Sequence, residues 1–441
     1  MAAEAGAGAL THRRVLRIAA PIVIANATVP LLGVVDTGVV GQLGLAAPIG
    51  AVGLGAIVIS FVYWAFGFLR MGTAGLTAQA LGAGDDREAV ALLIRGLLIA
   101  AAAGAVIILL RAPLFALALQ FAPASPDVET LTRDYLAIRA FGAPAAIAAY
   151  AVTGWLIAAE RTRAVLFLQL WINGLNIALD LWFVLGLGWG VEGVAVATII
   201  AEWSGAALGL WICRKAFHGA AWRTPALILQ ADRLRRMALV NGDIMIRSIL
   251  LEIGMAVFVF RSAALGDVGL AANQVLLQFV MIASYVLDGF AFAAEALVGR
   301  AMGARAPAAL RRAAILSSQW AGTLVLVVAV IFIVFGPSII ALMTTAPEIR
   351  AAAEALLPWL IAAPLIGMPA FMLDGIFIGA TRTRDMRNAM AVSLALYLVL
   401  IFTLAPLFGA PGLWAAFLFF FAARGVTLGL RYPALEASAR G

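Results

Sequence analysis

Leu324-Val325-Leu326-Val327-Val328-Ala329-Val330-Ile331-Phe332-Ile333-Val334-Phe335 is an unbroken apolar run, and the stretch around it from Ser317 to Met343 carries no charge. A bilayer core of ~30 Å needs ~20 apolar residues of helix, and a surface helix of a soluble protein would show a polar face within that length. Leu97 to Leu110 is a second uncharged run. Of the 441 residues 64% are hydrophobic types and 12% are Asp, Glu, Lys or Arg, with a mean hydropathy of +1.04. Soluble domains carry about twice that charged fraction. The chain is therefore read as an all-α polytopic membrane protein, and a soluble enzyme is excluded.

Apolar runs and their breakers predict twelve spans. Six lie near 15–40, 47–80, 90–111, 131–158, 163–186 and 190–213, and six near 237–261, 268–299, 309–335, 349–379, 388–408 and 411–431. The second and eighth are long enough to need strong tilt or a turn outside the membrane. The formal charge of +7 and the isoelectric point near 10.3 do not point to nucleic acid, because the basic residues sit mostly between apolar runs. With an even span count, most of them fall on the side of both termini. Arg13, Arg14, Arg17, Arg87, Arg95, Arg300, Arg305 and Arg424 are among these, whereas Arg111, Arg133, Arg139, Arg261 and Arg350 fall opposite. The positive-inside rule then makes both termini cytoplasmic, in a cytoplasmic (inner) membrane. A first apolar stretch broken by Pro21, Pro30 and Asp36 reads as a transmembrane helix and not as a cleaved signal peptide. The single Cys213, with His12 and His218 outside the apolar runs, leaves no structural metal site and no internal disulfide. No G-x-x-x-x-G-K-[ST] pattern is present, so ATP does not drive the protein directly.

The halves repeat. Ala80-Leu81-Gly82-Ala83-Gly84 returns as Ala301-Met302-Gly303-Ala304-Arg305, and Gly154…Glu160-Arg161-Thr162-Arg163 as Gly375…Thr381-Arg382-Thr383-Arg384, both at an offset of 221. Gly190-Val191-Glu192-Gly193 echoes Gly409-Ala410-Pro411-Gly412 at 219. Six spans per copy give both copies the same orientation, a parallel repeat with its axis along the membrane normal. Residues 1–213 and 237–441 are thus read as two pseudo-symmetric six-helix lobes joined by a cytoplasmic linker, 214–236. Two such lobes suit an alternating-access carrier.

An ionisable side chain inside a span is costly and marks function by default. Asp36 stands in Gly33-Val34-Val35-Asp36-Thr37, Asp180 in the fifth span with Asn176 one turn earlier on the same face, and Thr198 in the sixth. At roughly 1.5 Å per residue all three levels lie about 6–12 Å below the outer surface, so these side chains could meet. The repeat maps them onto Val257, Tyr397, Ile401 and Phe417. A structural requirement of the scaffold would appear in both copies. The cluster is therefore read as a cation or proton site, the plain alternative being carboxylates that cap a broken helix. In the second lobe Asp243 and Arg247, at i and i+4, are expected to neutralise each other. Glu252 shares their span, Asp288 and Glu295 lie on one face of the eighth, and Asp374 is in the tenth. Arg70, a cation within the second span, pairs in this reading with Glu295 or Asp288 across the lobes, or else serves a static bundle contact. These seven residues are candidates for a substrate cleft or inter-lobe polar contacts.

Pro21 followed by Val29-Pro30-Leu31-Leu32-Gly33-Val34-Val35-Asp36-Thr37 resembles the first span of multidrug and toxic compound extrusion (MATE) transporters. Asn176, Asp180, Thr198, Leu287-Asp288-Gly289-Phe290-Ala291 and Thr381-Arg382-Thr383-Arg384 resemble its DinF branch, and the likeness runs from about residue 13 to 432. The resemblance implies two six-helix lobes and export of organic cations or other amphiphilic compounds against an inward H⁺ or Na⁺ gradient. Its ion site corresponds to Asp36, Asn176, Asp180 and Thr198. The NorM branch uses acids in the seventh and tenth spans. Glu252 matches the first, and Asp374 stands about a turn out of register with the second. The expected function is a secondary antiporter with no cofactor beyond its coupling ion, a monomer in the lipid bilayer, taking a small amphiphilic substrate and no nucleic acid. A flippase for lipids or lipid-linked intermediates is the alternative, and it would favour a strongly basic cleft. An integral membrane enzyme would need a nucleophile–base or metal cluster that the sequence does not offer.

Overall fold

The computed structural model describes residues 10–42, 45–121 and 124–440, with backbone alone at 29–34 and 37, so the side chains of Pro30 and most of its motif lie outside the described residues. Among the described residues every regular element is helical. The first half holds α1 (His12–Gly41), α2 (Ala46–Trp64), α3 (Phe68–Gly82), α4 (Asp86–Leu109), α5 (Arg111–Gln120), α6 (Pro126–Arg139), α7 (Ala143–Ala158), α8 (Thr162–Asp180) and α9 (Gly190–Ile212). A short α10 (Pro225–Ile228) follows. The second half holds α11 (Ala231–Ala263), α12 (Gly266–Gly303), α13 (Pro307–Met343), α14 (Pro347–Ala355), α15 (Leu357–Gly379), α16 (Thr383–Phe408), α17 (Ala410–Gly429) and α18 (Tyr432–Ser438).

Ten of these stretches are long and apolar enough to cross a bilayer among the described residues. With α1 and α11, of 30 and 33 residues, they make up the twelve spans. α11 is the least apolar because Asp243, Arg247 and Glu252 lie in its middle. The long second span is met by a break between α2 and α3, whereas α12 runs unbroken for 38 residues. The fourth span is interrupted by a 3₁₀ turn at Ala140–Gly142, and the fifth ends in a π-helical turn at Leu181–Gly186. π-turns concentrate at functional sites, and this one begins directly after Asp180.

The chain packs as two units. One, the N-terminal unit, comprises Ile24–Thr77 and Asp85–Arg236; the C-terminal unit takes the described residues up to Val23, Ala78–Gly84, and the chain from Met237 onward. α1 and α3 therefore each pass from one unit into the other. Within the N-terminal unit, Arg95 is not a solvated topology signal. It is buried on α4, where its Nε and Nη2 donate to the carbonyls of Ile228 and Leu227 (2.8 and 2.7 Å) and its Nη1 to Glu88 (2.7 Å). That clamp fixes the linker helix α10.

The repeat is visible in the backbone. Gly84 and Arg305 both have positive φ (73° and 53°), as do Glu160 and Thr381 (57° and 51°). A Cβ on Gly154 would lie 2.3 Å from the Arg70 carbonyl oxygen, and one on Gly375 would lie 2.4 Å from that of Ala291, 221 residues on in both partners. Gly82 meets the backbone of Arg300 and Gly303 that of Gln79, at 2.1 and 2.0 Å for the added Cβ. These last two contacts exchange roles under the same offset.

Candidate ion-coupling site

In the N-terminal unit α1, α8 and α9 bring the first-lobe polar residues together. Asp180 and Asn176 are fully buried, Thr198 is 8% exposed and Asp36 is partly buried. With the amide nitrogen of Asn176 turned toward the carboxylates, it donates to Asp36 Oδ1 (3.2 Å) and Asp180 Oδ2 (3.3 Å), while Thr198 Oγ1 lies 3.1 Å from the amide oxygen. Asp36 and Asp180 are close enough to share a hydrogen bond. Among the described residues Asp180 Oδ1 has no hydrogen-bond donor. Two turns before Asp36, α8 grips α1 again: Asn173 Nδ2 donates to Thr28 Oγ1 (3.0 Å), and Gln169 donates to Asn173 Oδ1 (3.0 Å). α1 is thus tethered to α8 on both sides of Pro30.

One turn along α6 and α9 lies a group that the sequence reading missed. Arg139 is buried, not a residue at a helix start, because α6 begins at Pro126, and it forms a two-pronged bond with Glu202 (2.8 Å to each oxygen). Tyr63 donates to the Arg139 carbonyl (2.9 Å), and the guanidinium stands 5.7 Å from the Tyr63 ring centroid. Glycines make the room: a Cβ on Gly142 would fall 2.0 Å from Glu202 Oε2, and one on Gly55 2.4 Å from the Tyr135 ring. Arg139 also acts electrostatically on Asp36 and Asp180. The spacing Tyr135–Arg139 and Thr198–Glu202, i and i+4 on two facing helices, was the available signal.

In the C-terminal unit the expected Asp243–Arg247 neutralisation does not occur. Asp243 instead accepts from Arg387 (2.6 Å) and Thr383 (3.1 Å) on α16. Arg247 turns to Asp374 on α15, whose Oδ2 also accepts from Arg424 on α17 (2.6 Å). An α-helix puts i and i+4 side by side only along its surface, and here tertiary partners a helix away offer better geometry. Arg424, counted as a topology signal, is 2% exposed. Glu252 is exposed on the surface of the helices and has no charged partner among the described residues. Arg70 lies on α3 in the N-terminal unit, and Asp288 and Glu295 lie on α12 in the C-terminal unit, Glu295 fully buried. Among the described residues no three His, Cys, Asp or Glu side chains gather as a metal cluster.

The family model described as MatE matches residues 21–182 and again 244–403, and the two matches stop 221 residues apart, like the repeat. The chain is 39% identical over 420 residues to DNA damage-inducible protein F of Escherichia coli (strain K12), with 93% of this chain and 90% of that protein covered. It is 30% identical over 431 residues to the probable multidrug resistance protein NorM of Bradyrhizobium diazoefficiens, covering 91% and 89%. The fold matches the Vibrio cholerae MATE transporter VcmN in its bent form at a TM-score of 0.85, with 21% identity over 97% of each chain. It also matches an outward-facing multidrug resistance MATE family transporter of the MOP superfamily at 0.86, with 19% identity over 98% and 97%. The chain belongs to the MatE family of multidrug and toxic compound efflux transporters, as a multi-pass membrane protein of that two-lobed, twelve-span fold.

Proposed function

We propose that the protein is a secondary antiporter that exports amphiphilic small molecules, organic cations among them, by alternating access in exchange for H⁺ or Na⁺. It would act as a monomer in the cytoplasmic membrane with both termini inside. Asp36 is the main coupling carboxylate, Asp180 and Asn176 complete the site, and Thr198 supplies a neutral oxygen. The observation that carries this is the approach of Asp36 and Asp180 to within hydrogen-bonding reach around one amide. Two carboxylates at that separation repel too strongly to stay charged without a proton or a cation between them. For Na⁺, Asn176 would turn its oxygen inward and join Thr198 Oγ1 and the two carboxylates; for H⁺, one carboxylate suffices. Occupancy would release α1, tethered at Thr28 and at Asp36, to bend at its prolines, where the hydrogen-bond ladder is already weakened.

Export in everted vesicles with H⁺ and Na⁺ gradients imposed separately tests this. Asp36→Asn keeps shape and removes the titratable group, and is expected to abolish gradient-driven export at equal membrane expression. Wild-type flux from the variant would sink the reading. Collapse with a protonophore in Na⁺-free buffer identifies H⁺; dependence on Na⁺ alone identifies Na⁺.

A further inference from the structure

Arg247, Asp374 and Arg424 come from three different helices of the C-terminal unit and are 6%, 6% and 2% exposed. Both guanidiniums bind the same carboxylate oxygen, Asp374 Oδ2. Among the described residues neither arginine meets another carboxylate, so the cluster carries one unbalanced positive charge. Three of its donors are buried and have no hydrogen-bond partner among the described residues: Arg247 Nε, Arg424 Nε and Arg424 Nη1. The rings of Phe371, Phe420 and Phe421 surround Arg424 with centroids at 5.6–5.8 Å. That is near the outer limit of a cation–π contact, which is worth far less than a charge-assisted hydrogen bond. A lone excess cation in a membrane-embedded bundle is costly unless something pairs with it.

We propose that Arg247 and Arg424 form a subsite for the anionic group of the exported compound, which makes carboxylate-bearing amphiphiles a substrate class of this transporter. A guanidinium presents its N–H groups in a planar fork that matches a carboxylate, and the three phenylalanine rings beside it suit the apolar body. Asp374 holds the place of that carboxylate in the unloaded protein. The cluster lies five residues before the ends of α15 at Gly379 and α17 at Gly429, the ends that the proposed orientation puts toward the cytoplasm, where an exported compound is loaded. The inference rests on the efflux reading for its direction, while the binding step stands apart from the coupling ion.

Three probes with one apolar body separate charge from hydrophobicity: 1-naphthylacetate, 1-naphthylacetamide and 1-naphthylmethylammonium. Their equilibrium binding is measured on the full chain in lipid nanodiscs, without a gradient, with empty nanodiscs as the blank. The carboxylate is expected to bind at least about tenfold tighter than the other two, the size of one charge-assisted hydrogen bond. Arg424→Gln removes that preference. Asp374→Asn removes the internal competitor, so the carboxylate then binds more tightly than to wild type. Equal binding of the three probes, a preference that survives Arg424→Gln, or an Asp374→Asn variant that binds the carboxylate no better overturns the proposal. Should Arg424→Gln fail to fold, Asp374→Asn decides alone. Because no flux is read, loss of this result and loss of coupling at Asp36 are separate observations.

Discussion

In the N-terminal half Asp36, Asn176, Asp180 and Thr198 gather around one amide, whereas their equivalents Val257, Tyr397, Ile401 and Phe417 belong to a single apolar cluster in the C-terminal half. Tyr397, Ile401 and Phe417 are fully buried there, and Tyr397 stacks on Phe420 at 5.0 Å. The duplicated backbone brings the same four positions together twice, and the chemistry placed on them is opposite. The reverse holds for the cationic cluster. Arg247, Asp374 and Arg424 correspond to Asn26, Thr153 and Gly205, which carry no charge at all. Packing asks only for volume at these places, so a duplicated scaffold keeps its shape while each lobe acquires its own polarity. The cluster at Asp36 and Asp180 is left with excess acid and the one at Arg247, Asp374 and Arg424 with excess base.

The Arg139–Glu202 pair extends the comparison, since its equivalents Leu360 and Phe421 lie in the same C-terminal apolar cluster. If the scaffold tolerates either chemistry, the pair is replaceable as a pair and not singly. Arg139→Leu alone strands a buried carboxylate and should cost about 3–5 kcal/mol. Arg139→Leu with Glu202→Leu should recover most of that. Thermal unfolding of the purified protein by tryptophan fluorescence reads both. A double variant no more stable than the single one would break the comparison, by showing that the N-terminal lobe requires charge for its shape.

The spans, the repeat and the four first-lobe residues were legible because each rests on a local rule: run length, a fixed offset, and depth counted from a helix end. The charged partners were not. The apolar pattern puts the start of this span at 131, whereas α6 starts at Pro126, which moves Arg139 from the rim into the bundle. Arg424 and Arg95 were counted by the side of the membrane they are nearest, a rule that treats every arginine as solvated. Both are buried, one by Asp374 and three rings, the other by Glu88 and two linker carbonyls. Asp243 and Arg247 were paired by helical spacing, which cannot see α15 or α16. Charge pairing across a membrane bundle is a tertiary fact, and sequence spacing reports only the faces available for it.

The shared backbone itself can be tested at Gly82 and Gly303. Each would place a Cβ 2.0–2.1 Å from a carbonyl oxygen of the opposite helix, and the two contacts are mirror images in sequence. Backbone cannot move aside as a side chain can, so Gly82→Ala and Gly303→Ala should each cost at least about 1–3 kcal/mol. The two losses should agree within the scatter of the measurement. Thermal melts of both variants in the same detergent check this. A large loss in only one would mean that the repeat survives as geometry but no longer as an energetic symmetry.

The smallest effect expected is at Thr198, and it bears most directly on which ion the acidic cluster takes. Its hydroxyl donates to the Val194 carbonyl (2.8 Å) and lies 3.1 Å from the Asn176 amide. Thr198→Val keeps the volume and deletes one neutral oxygen, so the fold should persist. If Na⁺ sits among Asp36, Asn176, Asp180 and Thr198, loss of that ligand should weaken Na⁺ by about 1 kcal/mol, roughly fivefold, with maximal flux retained. If H⁺ is the coupling ion, the carboxylates bear the whole task and the variant should export as wild type at every Na⁺ concentration. The Na⁺ midpoint of export in everted vesicles held at fixed internal and external pH distinguishes the two. Trp182, two residues beyond Asp180, offers a second readout if the other tryptophans are replaced, since an ion bound there should change its fluorescence with the same midpoint. A variant that loses all export, with or without Na⁺, would instead assign Thr198 to the seating of Asn176, and the acidic site would then depend on that amide's orientation more than on the count of its oxygens.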